Sequence, residues 1–447
     1  MRYLILAPLA LSWALAGPAM GATVDCGRLL DLKSGQWREH VRVTIEQGKI
    51  SAVAAPAGGA ADVELGAYSC LPGLIDSHTH LTLQWGPNTY SEQFRLNAAD
   101  YAIRGTVYAR RTLEAGFTTV RNLGDYDNAS IALRKAIDAG VVPGPRMYTA
   151  GEPIGSTGGH ADRSDSYRRD LAGDPGPLQG IINSPADAWK AVRQHYKDGA
   201  DLIKIMPSGG VLDESRSVDN PQMTEEEIKA VVAAAHDYGF TVAAHAHGAE
   251  AVRRAVLGGV DSIEHGTFMD EQDLRLMKEH GTWYVPTAIA SQTVTANAKI
   301  PGVYPAAVVT KALTVGPKIL DTLGRAYKAG VKIAFGTDAG VYPHGDNARE
   351  FAYMVQAGMP PLETLRAATI NAAELLKHAD SLGQLAPGYA ADLIAVKGDP
   401  LQDVTVLQHV EFVMKAGLVY KAPASLAVDG ALRASAIDVP AAHGAED

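Results

Sequence analysis

The sequence predicts an α/β protein: a TIM-like (β/α)8 barrel carrying a small β-sandwich domain built from both chain ends. Three observations predict it. Eight short apolar strands alternate with helix-like stretches between residues 72 and 379. Strand patterns flank that region on both sides, at 22–71 and 380–421. Glycine supplies 45 of 447 residues, more than the usual ~7%, as tight turns between many short elements require. With 47% hydrophobic and 20% charged residues, the chain can bury a large core. At about 150 residues per domain, its length corresponds to roughly three domains, or one large barrel plus a smaller part.

In chain order, Arg2 precedes the apolar run Tyr3 to Leu15, and the small residues Ala19 and Gly21 follow. This reads as a secretory leader over 1–21, cut after Gly21. The run is too short to span a bilayer comfortably, and Val24-Asp25 before Cys26 do not form a lipoprotein signal. No other stretch reaches 18 apolar residues, so the mature protein is expected to be soluble, periplasmic or secreted, with no membrane partner. Export lets Cys26 and Cys70 pair as a disulfide; the alternative is two buried free thiols. Two cysteines are too few for a thiolate cluster of three or four metal ligands within one chain.

Val41-Arg42-Val43-Thr44-Ile45 alternates, and Gln47-Gly48-Lys49 supplies a hairpin turn. Gly58-Gly59 and Gly66 interrupt further strands of this first β unit. The barrel strands are Gly73–His80, Phe117–Leu123, Arg146–Gly151, Asp201–Met206, Thr241–His247, Ser262–His265, Trp283–Ala288 and Lys332–Thr337. Helices are expected at Ala99–Glu114, Pro185–Lys197, Thr224–Tyr238 and Ala306–Lys328, the third opened by a Thr224/Glu227 capping box. The barrel is bounded at 72–379. Ala391–Val396, Glu411–Met414 and Leu418–Tyr420 then return to strand texture and complete the β unit over 380–421. Residues 422–447 are Ala-rich and poorly patterned, and read as a loosely held tail. No internal repeat is present. With 40 Lys plus Arg against 50 Asp plus Glu, the net charge is −10 with no basic stripe, which argues against a nucleic-acid partner.

The chemistry gathers at strand ends. His78-Thr79-His80 closes the first barrel strand, and residues two apart on a strand share a face. Lys204 sits inside the apolar strand Asp201–Met206. A lysine snorkelling to solvent is the plain reading. Burial would instead disfavour an unpaired charge, and reaction with CO2 would give a carbamate, an anionic ligand able to bridge two cations. His245 and His265 close the fifth and sixth strands, and Asp338 follows the eighth. Singly, each is most simply a structural polar residue. Together they place ligand-type residues after strands one, four, five, six and eight, at the end where barrels keep active sites. Borderline-soft divalent metals take such imidazole and oxygen sets.

At this point the sequence resembles the metal-dependent amidohydrolase superfamily, in its binuclear subtype with a carboxylated lysine. The resemblance covers nearly all of 23–421. It rests on Pro72-Gly73-Leu74-Ile75-Asp76-Ser77-His78-Thr79-His80, Thr157-Gly158-Gly159-His160, Ser208-Gly209-Gly210-Val211, His245-Ala246-His247-Gly248 and Gly336-Thr337-Asp338-Ala339-Gly340. The spacings of 41 residues from Lys204 to His245 and 20 from His245 to His265 are similar to those of bacterial Xaa-Pro dipeptidase-like and ochratoxin-hydrolysing amidohydrolases.

The resemblance implies two divalent ions, expected to be zinc. His78, His80 and Asp338 would hold one, His245 and His265 the other, with a carbamate on Lys204 and a hydroxide bridging them. Asp338 would shuttle the proton to the leaving nitrogen. His247 is either an alternative ligand to His245 or a supporting, substrate-side residue, and the family spacing favours the second. His160 would steady the tetrahedral intermediate. His344 would line the pocket mouth, against the plain reading of an exposed loop residue. Arg163, Arg168, Arg169 and Arg216 occupy loops after the third and fourth strands. Arginine forks bind carboxylates well, so Arg216 and Tyr238 are candidates for a substrate carboxylate, against the default of solvated loop charges.

The implied activity is cleavage of small-molecule amides, N-acyl amino acids or dipeptides, prolidase-like and including ochratoxin A, by an exported protein; relatives often form homo-oligomers. The alternative is a mononuclear deaminase or cyclic-amide hydrolase of imidazolonepropionase type, which needs no lysine. A catalytically dead scaffold on the same barrel would have lost ligands, whereas every position of the set is present.

Overall fold

The computed structural model describes residues 21–165, 167–213 and 217–434. Residues 1–20 of the expected leader, Arg216 and the chain beyond 434 lie outside the described residues. Strands β1 (Ala22–Asp31), β2 (Gln36–Glu46), β3 (Lys49–Ala54) and β4 (Val63–Pro72) open the chain. Then come β5 (Leu74–Thr79), β6 (Phe117–Asn122), β7 (Arg146–Thr149), β8 (Ile203–Ile205), β9 (Val242–Ala246), β10 (Ser262–His265) and β11 (Trp283–Val285), separated by helices. β12 (Leu393–Val396), β13 (Phe412–Lys415) and β14 (Leu418–Lys421) follow.

The outer strands form one seven-stranded sheet in the order β14-β13-β12-β4-β1-β2-β3, so both ends of the described chain contribute to it. On β2, Val41, Val43 and Ile45 are buried, and the residues between them are more exposed, as the two-residue period of a strand dictates. Arg42 on β2 faces Asp25 on β1 and donates to both its carboxylate oxygens at 2.6 and 2.7 Å. The turn at Ala416-Gly417 packs on Ile45 and Gly48, so the two margins of the sheet meet and the sheet closes around its own core. Cys26 on β1 and Cys70 on β4 are joined in a disulfide across this core. Residues 422–434 differ from the loose tail that their composition suggests. Leu426, Val428 and Leu432 pack against the same core, and Arg433 bridges Val419. Their apolar residues mix spacings of two and four, so no single period marks an element there.

The inner strands run parallel, as β5-β6-β7 and β8-β9-β10-β11. Every residue of β5, β6 and β9 is buried, as expected where a parallel sheet is covered on both faces. A bridge between Ile154 and Ile205 links the two groups beyond β7. The expected eighth strand, Lys332–Thr337, is the one departure. It is an extended segment held by bridges of Ile333 to Tyr284 and Ala339 to Thr79. Regular pairing breaks because the Asp76 side chain accepts the Thr337 N–H at 3.1 Å, and because Asp338 turns into the left-handed region at φ +60°. The segment still closes the barrel, with Ser77 N–H donating to Phe335 O and His80 N–H to Ala339 O.

The expected helices occupy Ala98–Glu114, Pro185–Asp198, Glu225–Asp237 and Ala306–Ala329. Thr224 accepts from Glu227 N–H at 3.2 Å while the Glu227 carboxylate takes Thr224 N–H at 2.8 Å, which forms the capping box.

Candidate active site

The C-terminal ends of the barrel strands converge on a cavity of about 530 Å³. Its floor holds His78, His80, Lys204, His245, His247, His265 and Asp338. His78, His80 and Asp338 form one group and His245, His247 and His265 another; within each, the candidate ligand atoms lie within 4.8 Å of one another. Asp338 Oδ1 stands 3.1 Å from His80 Nε2 and 3.4 Å from His78 Nε2.

Hydrogen bonds decide which ring nitrogens are bare. His78 Nδ1 meets Glu264 Oε2 at 2.9 Å and His80 Nδ1 meets Gly124 O at 2.9 Å. Both partners accept only, so both Nδ1 atoms donate; Nε2 of His78 and Nε2 of His80 both face the Asp338 carboxylate. His265 Nδ1 meets Thr287 Oγ1 at 2.7 Å, and that hydroxyl already donates to Pro286 O, so Nδ1 donates here too. His245 shows the reverse: Nε2 donates to Gly209 O at 3.1 Å, which leaves Nδ1 bare. Burial holds the His78 imidazole down at about 4 and that of His247 at about 3, and takes His245 and His265 well below the ordinary range. His78, His245, His247 and His265 are therefore neutral at pH 7. Neutral imidazoles converging with one carboxylate suit a cation, so the residues present fit a metal site.

Lys204, on β8, is buried beside both groups, and its charge is felt by His78 of one and by His245 and His265 of the other. Burial lowers its ammonium to about 8, which raises the share of free amine. For Asp338, burial acts upward, but His78 and His80 outweigh it and keep the carboxyl below its usual range.

Side chains beneath the floor were not singled out by the sequence reading. Glu264 receives His78 and also Arg121 Nη2 at 2.7 Å, all buried. Asp76 collects four donors: His78 N–H, Thr337 N–H, the Thr337 hydroxyl and Asn347 Nδ2. Burial still pushes its carboxyl up to about 7. The available signal was a charge inside a short apolar strand, in Leu74-Ile75-Asp76, Val120-Arg121 and Ile263-Glu264. His265, Thr287 and Asp338 all hold positive φ at this site, a cost that proteins carry where function fixes the backbone.

The other expected residues divide. His247 joins the second group, with Nδ1 2.8 Å from the Thr267 hydroxyl. His160 lines the cavity, its ring 4.5 Å from that of His245 and its Nδ1 2.6 Å from Asp213 Oδ2. A Cβ at Gly210 would fall 2.0 Å from the His160 ring, which gives the second glycine of Ser208–Val211 its reason. His344 is neither an exposed loop residue nor a pocket residue. It is buried behind the wall, stacked on Tyr108 and 2.7 Å from Leu83 O. The histidine reads as a mouth residue because Asp338 is near in sequence, but the chain turns inward at Tyr342. Tyr238 stacks on Tyr196, outside the cavity. Arg163 lines the cavity but is already paired with Glu152 and lies over the Tyr126 ring. Trp85, Tyr90, Phe94, Tyr101, Tyr126 and Tyr167 make the upper wall aromatic.

Known proteins resemble this chain in sequence and fold. A profile of the amidohydrolase family matches residues 70–420. The chain is 34% identical over 378 residues to ochratoxinase of Aspergillus niger, covering 79% of this chain and 76% of that protein. A crystal structure of a Xaa-Pro dipeptidase with methionine bound in its active site superposes with a TM-score of 0.87 at 46% identity, over 90% of this chain and 100% of that one. A prolidase complexed with N-methylphosphonate-L-proline superposes with a TM-score of 0.82 at 31% identity, over 90% and 100% of the two chains. The chain belongs to the amidohydrolase family, as a hydrolase acting on amide bonds.

Proposed function

We propose that the protein cleaves the amide bond of N-acyl amino acids and dipeptides with an apolar or prolyl C-terminal residue, ochratoxin-type amides of phenylalanine among them, with a binuclear metal centre. The observation that carries this reading is the pair of ligand groups on either side of buried Lys204. Similarity to an ochratoxinase and a Xaa-Pro dipeptidase supports the substrate class.

His78, His80 and Asp338 would hold one ion and His245 and His265 the other, with zinc suited to the nitrogen-rich set. The Lys204 amine, carboxylated by CO2 with loss of a proton, would serve both. Such ions, when bound, lower the pKa of water and polarise a carbonyl. The chain's own groups supply the rest. Asp338, ionised at the floor, accepts a proton at its carboxylate and delivers it to the departing nitrogen, which is a very poor leaving group unless protonated. His160, above His245, meets the substrate carbonyl as charge develops on it. The aromatic upper wall receives the apolar group of the substrate. Export to the periplasm or beyond is part of the proposal, supported by the Cys26–Cys70 bond, which persists in oxidising compartments.

The test is a hydrolysis screen of N-acyl amino acids and dipeptides varied at the C-terminal residue, with zinc added. Release of the C-terminal amino acid, best for apolar residues and proline, is expected. Activity confined to lactones or to deamination substrates would overturn the reading and favour the mononuclear alternative, which leaves buried Lys204 without a task.

A further inference from the structure

We propose that Lys311 and Asp213 are positioning residues that set the working orientation of His160. For the reaction concerned, this rests on the amide-hydrolase reading above; the geometry stands apart from it. Two lysines are buried among the described residues, Lys204 and Lys311. Lys204 belongs to the ligand set. Lys311 lies on the helix Ala306–Ala329 and has no part in it. A buried ammonium must be paired to be tolerated. Lys311 Nζ donates to Gly210 O at 2.9 Å, Asp213 O at 2.7 Å and Asp213 Oδ1 at 2.6 Å. All three acceptors belong to the loop that follows β8.

The second carboxylate oxygen of Asp213 faces the catalytic side. Oδ2 accepts from Gly210 N–H at 2.9 Å and from His160 Nδ1 at 2.6 Å. A carboxylate only accepts, so His160 Nδ1 donates to it, and Nε2, turned away from Asp213, donates to the substrate carbonyl when the ring carries both protons. The ring packs on the bare Cα of Gly210, where a Cβ would stand 2.5 Å from Nε2. Lys311 and Asp213 pin the Gly210 carbonyl and N–H from either side. Gln222 Oε1 takes His160 N–H at 2.9 Å, and the His245 ring closes the remaining face. The orientation of His160 therefore runs through one carboxylate, and a lysine on a distant helix holds that carboxylate in place. Outer partners of this kind matter by fixing a ring's direction and tautomer.

The experiment compares the full-length wild type, Lys311→Met, His160→Ala and the double variant on the N-acyl amino acid the screen selects, with Asp213→Asn as a second route to the same contact. A crystal structure of Lys311→Met accompanies the kinetics. Lys311→Met is expected to lower kcat by about 10- to 100-fold with KM little changed, and to cause no further loss in the His160→Ala background. Asp213→Asn should behave alike, and the His160 ring should leave its present position in the crystal. An equal, independent loss in both backgrounds, or a ring unmoved with kcat retained, would overturn the proposal. If the wild type hydrolyses none of the amides, the functional reading fails alone, and the ring position in Lys311→Met decides this one.

Discussion

His78 and Glu264 meet as a buried pair, Nδ1 donating to Oε2 across 2.9 Å, and the same carboxylate takes Arg121 Nη2 at 2.7 Å. The pair decides which face of His78 is a lone pair, and it compensates a guanidinium sealed inside the barrel. Glu264→Gln removes the charge and leaves Arg121 uncompensated. The variant should lose about 3–5 kcal/mol of stability and bind zinc about 10- to 100-fold more weakly. Denaturant midpoints and a competitive zinc titration check the two effects separately.

The same carboxylate sets a pH window. Burial acts to raise it, but Arg121 and His78 outweigh burial and hold it at about 2, below its ordinary 4.5. A depressed carboxyl stabilises the fold fully above its unfolded value, and that stability is lost as pH falls toward the folded one. In metal-stripped protein, the stability gap between wild type and Glu264→Gln should be constant from pH 7 to 5 and shrink as pH is lowered from 4.5 toward 2. A gap that widened on acidification would refute this role.

Loss of the disulfide should act on the sheet and spare the catalytic end. Cys26 and Cys70 are 44 residues apart, and closing a loop of this size contributes about 4 kcal/mol in the chain-entropy model. The double Cys26→Ser, Cys70→Ser variant is expected to unfold at lower denaturant by that order while retaining its kcat. A free-thiol count of zero in the denatured, unreduced wild type checks that the bond is formed.

Lys204→Ala should lower kcat by at least about 100-fold, since a ligand matters no less than the outer partners whose loss costs 10- to 100-fold. Added small carboxylic acids that fit the vacated space should restore part of the rate. Full activity without them would contradict the role assigned to the lysine.

Much of the site was legible because its ligands sit at strand ends in short local patterns. His78-Thr79-His80 needs only the two-residue period of a strand to point both rings one way, and His245, His265 and Asp338 each close or follow an apolar run. The rest depends on contacts that no local pattern encodes. Lys311 reaches Asp213 across 98 residues, and Arg121 reaches Glu264 across 143. The segment before Asp338 reads as a strand because Ile333, Ala334 and Phe335 are apolar, yet a side chain of β5 occupies its hydrogen-bonding edge. His344 is near Asp338 in sequence but separated from the cavity by Leu83 and Gln84, both of which it touches.

The central claim is that two ligand groups around Lys204 hold two ions in one centre. The measurement that tests it most directly is the metal content of the purified full-length protein after equilibration with limiting free zinc, read by elemental mass spectrometry per chain. The account predicts two ions per chain in the wild type. A single tightly bound ion per chain, with activity unchanged by further zinc, would contradict it.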